Sequence, residues 1–526
     1  MSTIARRTFV KNASIAAAVA GTAGIANTAS AQTVEGVEVG DVAWDYETEV
    51  LVCGLGGAGG IAAIEASDGG AKVMVIEKQP ADTDEKISHT PSTRLAYGCT
   101  MNFNSEEEAI TYLHATSRGA TPDDVIEEWS KFAPYVIEYL DEKLFLGVIN
   151  VGVDQPEYPA DVFPEGQAYY TAVVDGNGAG LMEAIKDELD ARAVEVLWET
   201  PAKALITNDE GVVVGVKAVQ NGSEVAIKAT KAVILATGGF EYNDDMLNQY
   251  IFAKSPKFYC NPDSTGDGIR MAQAVGADLW HMGTIGGRLI PYFEEIGIGI
   301  NGATTNPYIL VDHYGKRFMN EVWKNHSACL EAFDWSTDLC DYPAIPAYSI
   351  MDQTAIDAGP IVRGAMLSVG YYDWSADNSV EIEKGWILKA NTLEELAEII
   401  NKDPEVNGHM DGETLANTVA AYNSYVEVGE DPDFNRPAEN MVALATPPFY
   451  AVKLYPGGVN TFGGPRRNAK GQIVHVNGNV IPHLYGAGEM GSIQGFLYSG
   501  GGWNFCELIT SGQIAGINAA AETPCN

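Results

Sequence analysis

The sequence predicts an α/β fold, a parallel-sheet nucleotide-binding domain interrupted by an inserted α+β domain, and three observations carry that prediction. The first is the stretch Glu49 to Gly60. Val50–Cys53 reads as a short buried strand, after which Gly54, Gly56 and Gly59 give G-x-G-x-x-G where a helix opens toward Ser67. In that spacing the first glycine permits a tight turn, the second lets the backbone approach a pyrophosphate, and the third lets helix and strand pack closely. The second observation is Lys72-Val-Met-Val-Ile-Glu77, a strand ending in a carboxylate at the distance where an acid takes a ribose 2′-OH. The third is that strand-then-glycine signals return far along the chain, at Lys231–Gly239 and Leu484–Glu489. The β-α-β unit is Rossmann-like and predicts a bound dinucleotide, its phosphates facing the N–H groups and positive dipole end of the new helix.

Arg6-Arg7 precedes an Ala-rich apolar run, and Ala29-Ser30-Ala31 follows it. Twin arginines, a short weakly apolar segment and an A-x-A site predict a Tat export signal over residues 1–31. Residues 46–282 are assigned to the nucleotide-binding domain, 283–455 to the inserted capping domain and 456–526 to the remainder of the first domain. Within the first part, Ser105 before Glu106–Glu108 predicts a capped helix, and Asp123 to about Leu144 a second helical region. A helix near Gly180–Ala193 precedes a strand at Val194–Trp198. A β-meander with its turn at Asn221-Gly222 leads into Lys231–Gly239, and Asp263–Gly268 into another helix. The middle of the chain is mixed, with helices at Glu394–Ile400 and Glu413–Val426. Strand signal at Ile473–Ile481 and an apolar helix from about Asn504 to Ala521 close the chain.

Composition excludes several classes. The 526 residues carry 32 Lys+Arg and 71 Asp+Glu, and loss of three basic residues with the signal leaves a formal charge of −42. Such a field repels nucleic acid and anionic lipid. No later stretch offers the roughly 20 apolar residues of a membrane span. The seven cysteines (53, 99, 260, 329, 340, 506, 525) form no C-x-x-C pair, so ligand spacing for a zinc knuckle, iron–sulfur cluster or covalent haem is missing and no metal is expected.

The order of motifs resembles the FAD-dependent fumarate reductase and 3-ketosteroid dehydrogenase superfamily over essentially the whole mature chain. The motifs are Gly54–Gly59, Glu77, the loop Ser92-Thr93 to Gly98, Ala236-Thr-Gly-Gly239, Thr265-Gly-Asp-Gly268, Gly315-Lys-Arg-Phe-Met-Asn-Glu321, Gly486-Ala-Gly-Glu489 and the last helix. The resemblance implies FAD as cofactor. It places Gly54, Gly56, Ala58 and Gly59 at the pyrophosphate and Glu77, with Lys78, at the adenosine ribose. Ser92, Thr93, Tyr97 and Gly98 fall beside pyrophosphate and isoalloxazine. Thr237, Gly238 and Asp267 fall in the surrounding loops, Glu489 near the ribityl region, and Asn504 and Phe505 at the start of the last helix, with Asn460 a further cofactor-binding candidate.

The departures from the family pattern matter as much. Fumarate reductases carry arginines that clamp a dicarboxylate and one that delivers a proton; the matching positions here are Thr304, Ser499 and Asn325, and two family histidines become Val459 and Asn460. Without guanidinium forks a dicarboxylate site is not expected. Tyr498-Ser-Gly-Gly-Gly502 instead is similar to the ketosteroid dehydrogenase arrangement in which a phenol O–H and a backbone N–H hold a carbonyl oxygen. The proton donor stays open among Asn325, His326, Tyr292, Tyr308, Arg288 and Arg363. The expected activity is hydride transfer from flavin to a C=C conjugated to a carbonyl in a small unsaturated substrate. Electrons would come from a separate membrane-linked cytochrome or flavoprotein; a steroid-type dehydrogenase running in reverse and a substrate-free electron carrier are the alternatives.

Overall fold

The computed structural model describes residues 36–526 apart from 41, 84–85, 150, 152–156, 159–160, 253–255, 301, 303–304, 323–325, 363–371, 499 and 526. The predicted export signal lies outside the described residues, as do Thr304, Asn325, Arg363 and Ser499.

A nine-stranded sheet organises the nucleotide-binding half. Tyr46–Cys53 lies at its centre, parallel to Val73–Ile76 on one side and to Ser223–Leu235 on the other, with Glu195–Leu197 beyond Val73–Ile76. Val50–Cys53 and Val73–Ile76 are buried on both faces, as continuous apolar runs in a covered parallel sheet must be. The 13-residue strand Ser223–Leu235 does two jobs because it is bulged between Ala229 and Ala232. Its first half pairs antiparallel with Val213–Gln220 through the predicted turn, where Asn221 and Gly222 both take positive φ. Its second half pairs parallel with Val480–Gly486, which brings the C-terminal part of the chain back into the first sheet.

The helix Gly57–Asp68 leaves the glycine turn and crosses the last helix, Trp503–Ala520, at very short range. A Cβ at Gly512 would stand 2.8 Å from the Ala58 carbonyl oxygen and one at Gly516 2.4 Å from that of Ala62. The predicted cap at Ser105 is present, its Oγ accepting from the Glu108 N–H at 3.2 Å. The helical region after Asp123 is broken into Asp123–Ser130 and Val136–Leu144, because Pro134 has no N–H to continue the ladder. Ile473–Ile481 likewise resolves into two antiparallel strands, Gln472–Val474 and Val480–Gly486, turning at Asn477-Gly478.

A six-stranded sheet organises the middle of the chain around a single strand, Phe449–Thr461. Ile285–Ile290, Ala347–Asp352 and Leu388–Ala390 pair antiparallel with it, Lys257–Phe258 parallel, and Tyr308–Val311 lies beyond Ala347–Asp352. Phe449–Thr461 runs unbroken through residue 455, where the sequence analysis set a boundary. Helices Leu393–Ile400 and Gly412–Val428 bury Leu396, Ile400, Leu415 and Val419 with Ile309, Val311 and Ile350 of the sheet. Among the described residues no helix is long and apolar enough to cross a membrane.

Candidate functional site

The sheet's C-terminal edge, the first and last helices and the loop around Asn261 enclose a cleft with about 1340 Å3 of space, part of it open to solvent. Thirteen residues expected at a cofactor line it: Gly54, Gly56, Ala58, Glu77, Lys78, Ser92, Thr93, Thr237, Gly238, Asp267, Glu489, Asn504 and Phe505.

Each fingerprint glycine has a separate physical duty. Gly54 has φ +103, and a Cβ there would meet the Ala236 carbonyl oxygen at 2.5 Å. Gly59 packs under the turn, where a Cβ would stand 2.0 Å from the Gly54 carbonyl oxygen. Gly56 differs: nothing lies closer than 3.9 Å to the place its Cβ would take, so its backbone faces open space. That space is at the start of the 12-residue helix Gly57–Asp68, which has no side-chain cap; Thr93 Oγ1 accepts from the Gly57 N–H at 3.0 Å. A diphosphate fits this cradle, which offers a bare backbone and uncapped donors.

Glu77 is buried, its carboxylate accepting from the Leu55 N–H at 2.7 Å and the Gln79 N–H at 2.8 Å. Burial pushes its carboxyl pKa up against those hydrogen bonds. Behind it sits His89, wholly buried, edge-on to Trp198 and with neither ring nitrogen hydrogen-bonded. Burial, then the Lys186 charge, push its pKa down to about 3, so the imidazole is neutral. Lys78 and Asp267, both expected at the cofactor, face each other at 3.0 Å, and Lys78 also donates to Thr265 Oγ1 and to the Asp263 carbonyl. Ser92 Oγ accepts from the Asn261 N–H at 3.2 Å. Tyr97 is 44% exposed and outside the cleft lining, and Gly98 packs against Asn177, 2.6 Å from where its Cβ would stand.

Toward the last helix the cleft is walled by acids. Glu489 is paired with Glu241, and both carboxyls are pushed up by burial, Glu489 further by the Glu241 charge. Glu241 accepts from both the N–H and the Oγ1 of Thr461 at 2.6 Å. Asn460 links this pair to the last helix, hydrogen-bonding Glu489 and accepting from Asn504 Nδ2 at 2.9 Å. Nothing in the sequence pointed to Glu241; it follows the Gly238-Gly239 turn, and only the return of Phe449–Thr461 puts Thr461 against it.

Tyr498 is buried, with its ring 4.3 Å from that of His326 and stacked on Phe462. Burial, then the Glu157 charge, push its pKa well above the ordinary phenol value. Gly502 caps the 18-residue last helix with φ +92, in a space closed at 2.5 Å by the backbone of Thr100 and Met101.

His326 has both ring nitrogens engaged. Its Nδ1 meets the buried Glu157 carboxylate, which also accepts from the His326 N–H at 2.6 Å, and its Nε2 lies 3.1 Å from Arg288 Nη2. A guanidinium only donates, so Nε2 accepts and Nδ1–H donates to Glu157. Burial holds His326 neutral, with its pKa lowered. The positive group among these side chains is thus Arg288, oriented by His326, and next to it Tyr259 lines the cleft. Of the other proposed donors, Tyr308 commits its hydroxyl to the Glu321 carbonyl at 3.0 Å, and Lys257 sits 4.6 Å over the Tyr292 ring. Glu157 and Tyr259 carried no sequence signal, each being a lone residue in an irregular segment.

The Gly315–Glu321 motif builds structure. Arg317 spans the buried carboxylates of Glu321 and Asp431 at 2.8 Å each, and Arg436 reaches Glu321 at 3.4 Å.

Comparison with known proteins agrees with this geometry. A family model described as "FAD binding domain" matches residues 49–504. The chain is 28% identical over 99% of its length to digoxin reductase of Eggerthella lenta, covering 97% of that protein. It is 29% identical over 90% of its length to the fumarate reductase (cytochrome) of Shewanella frigidimarina, covering 77% of it. In fold it is similar to 3-ketosteroid Δ1-dehydrogenase of Sterolibacterium denitrificans, with TM-score 0.78, 21% identity, and coverage of 90% of this chain and 99% of that one.

Proposed function

This chain belongs to the FAD-binding type 2 oxidoreductases, as an FAD-dependent enzyme acting on CH–CH groups, and from that premise we propose that it reduces a C=C conjugated to a carbonyl in an enone or a monocarboxylate enoate. FAD supplies the hydride. Gly54, Gly56 and Ala58, with Thr93, would hold the pyrophosphate, Glu77 the adenosine ribose and Glu489 the ribityl chain. Asn504 and Phe505, at the N-terminus of the last helix, would favour negative charge on a bound flavin.

The Tyr498 hydroxyl and the Gly502 N–H polarise the acceptor's carbonyl oxygen, where negative charge grows as hydride arrives at the β-carbon. Arg288 holds the proton for the α-carbon, and His326 with Glu157 behind it keeps the guanidinium aimed. Residues 283–455 act as the cap that closes over this end and excludes water. Among the described residues the guanidinium facing His326 is that of Arg288, and one guanidinium fits one carbonyl or one carboxylate; a dicarboxylate calls for paired forks. The observation that carries the proposal is the contact of the Tyr498 ring with His326, whose Nε2 faces Arg288. The electron donor is a separate cytochrome or flavoprotein, reached after export.

The test is anaerobic: purify the protein with FAD, reduce it with dithionite or reduced viologen, and follow flavin reoxidation by a panel of enones and enoates. Rapid reoxidation by one or more of them with little by fumarate is the expected result; fumarate as the best acceptor overturns it. The fold likeness to a ketosteroid dehydrogenase favours a second reading, the same site run in the opposite direction. That reading predicts flavin reduction by saturated ketosteroids with an artificial acceptor.

A further inference from the structure

The capping region holds a second cluster of chemically capable side chains, unconnected with the flavin cleft. His313 follows the strand Tyr308–Val311, Asp341 lies in the irregular stretch before Ala347–Asp352, and His409 precedes the helix Gly412–Val428. A metal-ligating atom from each of the three lies within 4.8 Å of the other two. From this convergence we infer that His313, Asp341 and His409 form a binding site for a divalent first-row transition ion of the zinc type.

The donor set is two imidazoles and one carboxylate, which suits a borderline ion better than Mg2+ or Ca2+, whose shells are built from oxygen. His313 is 1% exposed, and its Nε2 meets Asp341 Oδ2 at 2.9 Å, which turns that nitrogen toward the cluster. His409 lies face to face with Tyr314 at 4.9 Å and with His313 at 5.8 Å, so its ring is already held beside the other two. In a tetrahedral shell with bonds of about 2.1 Å the donors stand roughly 3.4 Å apart, so closing the site asks for a movement of about 1 Å. The fourth position is left to water.

The three ligands come from segments 28 and 96 residues away from His313 along the chain, so an ion here would fasten the turn 312–316 to two other parts of the cap. That turn leads into Arg317, which pairs with the buried carboxylates of Glu321 and Asp431. The inferred role is structural, with metal binding adding to the stability of the folded cap by mass action.

The test uses the full FAD-loaded protein, stripped with a chelator and titrated with Zn2+ against a chromophoric competitor, alongside thermal melts. The wild type is expected to take up one Zn2+ and to melt at higher temperature with Zn2+ than without. His409→Ala, which leaves the buried His313 in place, should retain its flavin, lose that equivalent and show no Zn2+-dependent shift. Asp341→Asn should weaken binding about tenfold or more. No Zn2+ uptake by the wild type, or the same uptake by His409→Ala, overturns the inference.

Discussion

The two ends of the candidate site are built by opposite strategies. At the nucleotide end the chemistry comes from one local run: Gly54, Gly56 and Gly59 sit on a single strand–turn–helix, and Glu77 ends the next strand. Backbone does most of the work there, so residue type is dictated by space and φ. At the Tyr498 end the side chains come from four distant segments, with Glu157, Arg288 and His326 meeting Tyr498 only when the second sheet is assembled. The difference teaches that the first end tolerates almost no added volume, while the second tolerates a conservative change in shape but not in charge or hydrogen bonding.

The largest effect should come from adding volume at the nucleotide end. Gly59→Val places atoms 2.0 Å from the Gly54 carbonyl oxygen and 3.2 Å from the Ala236 side chain. The variant should purify without flavin or fail to fold, read as flavin absorbance per mole of soluble protein; normal flavin content would break the comparison.

Next in size is Tyr498→Phe, which keeps the ring stacked on Phe462 and removes one donor. FAD content should be unchanged while kcat with the best acceptor falls about 10²- to 10³-fold, the usual cost of one such donor. An unchanged kcat would mean that the carbonyl is held elsewhere.

A smaller loss is expected for Glu157→Gln, which leaves the His326 contact but removes the charge behind it. Activity should fall about tenfold, or about 1.4 kcal/mol, with a changed pH profile and normal flavin binding. If flavin binding falls too, the two ends are more closely coupled than their construction implies.

The smallest effect concerns stability alone. His89 is held neutral down to about pH 3 when folded but takes a proton near pH 6.5 when unfolded. Between those values the unfolded state binds the extra proton, so this residue makes the protein less stable as pH falls, by at most about 1.4 kcal/mol per pH unit. His89→Phe keeps the contact with Trp198 and should melt above the wild type at pH 5, with the gap shrinking toward pH 8. A constant gap across that range would show that the imidazole does not titrate on unfolding.

The sequence by itself determined the β-α-β unit, its glycine turn, the Asn221-Gly222 hairpin, the Ser105 cap and the cofactor, because each is specified by residues within one or two turns of each other. It also determined that Tyr498 and His326 belonged in one discussion, though as rivals for separate roles. Only the tertiary structure decided that the two rings touch, that Arg288 and Glu157 fix the His326 tautomer, that Glu241 pairs with Glu489, and that His313, Asp341 and His409 converge. Periodicity and motif spacing report neighbours along the chain. These contacts depend on how Phe449–Thr461 and the last helix return to the first strand, and no local pattern encodes that return.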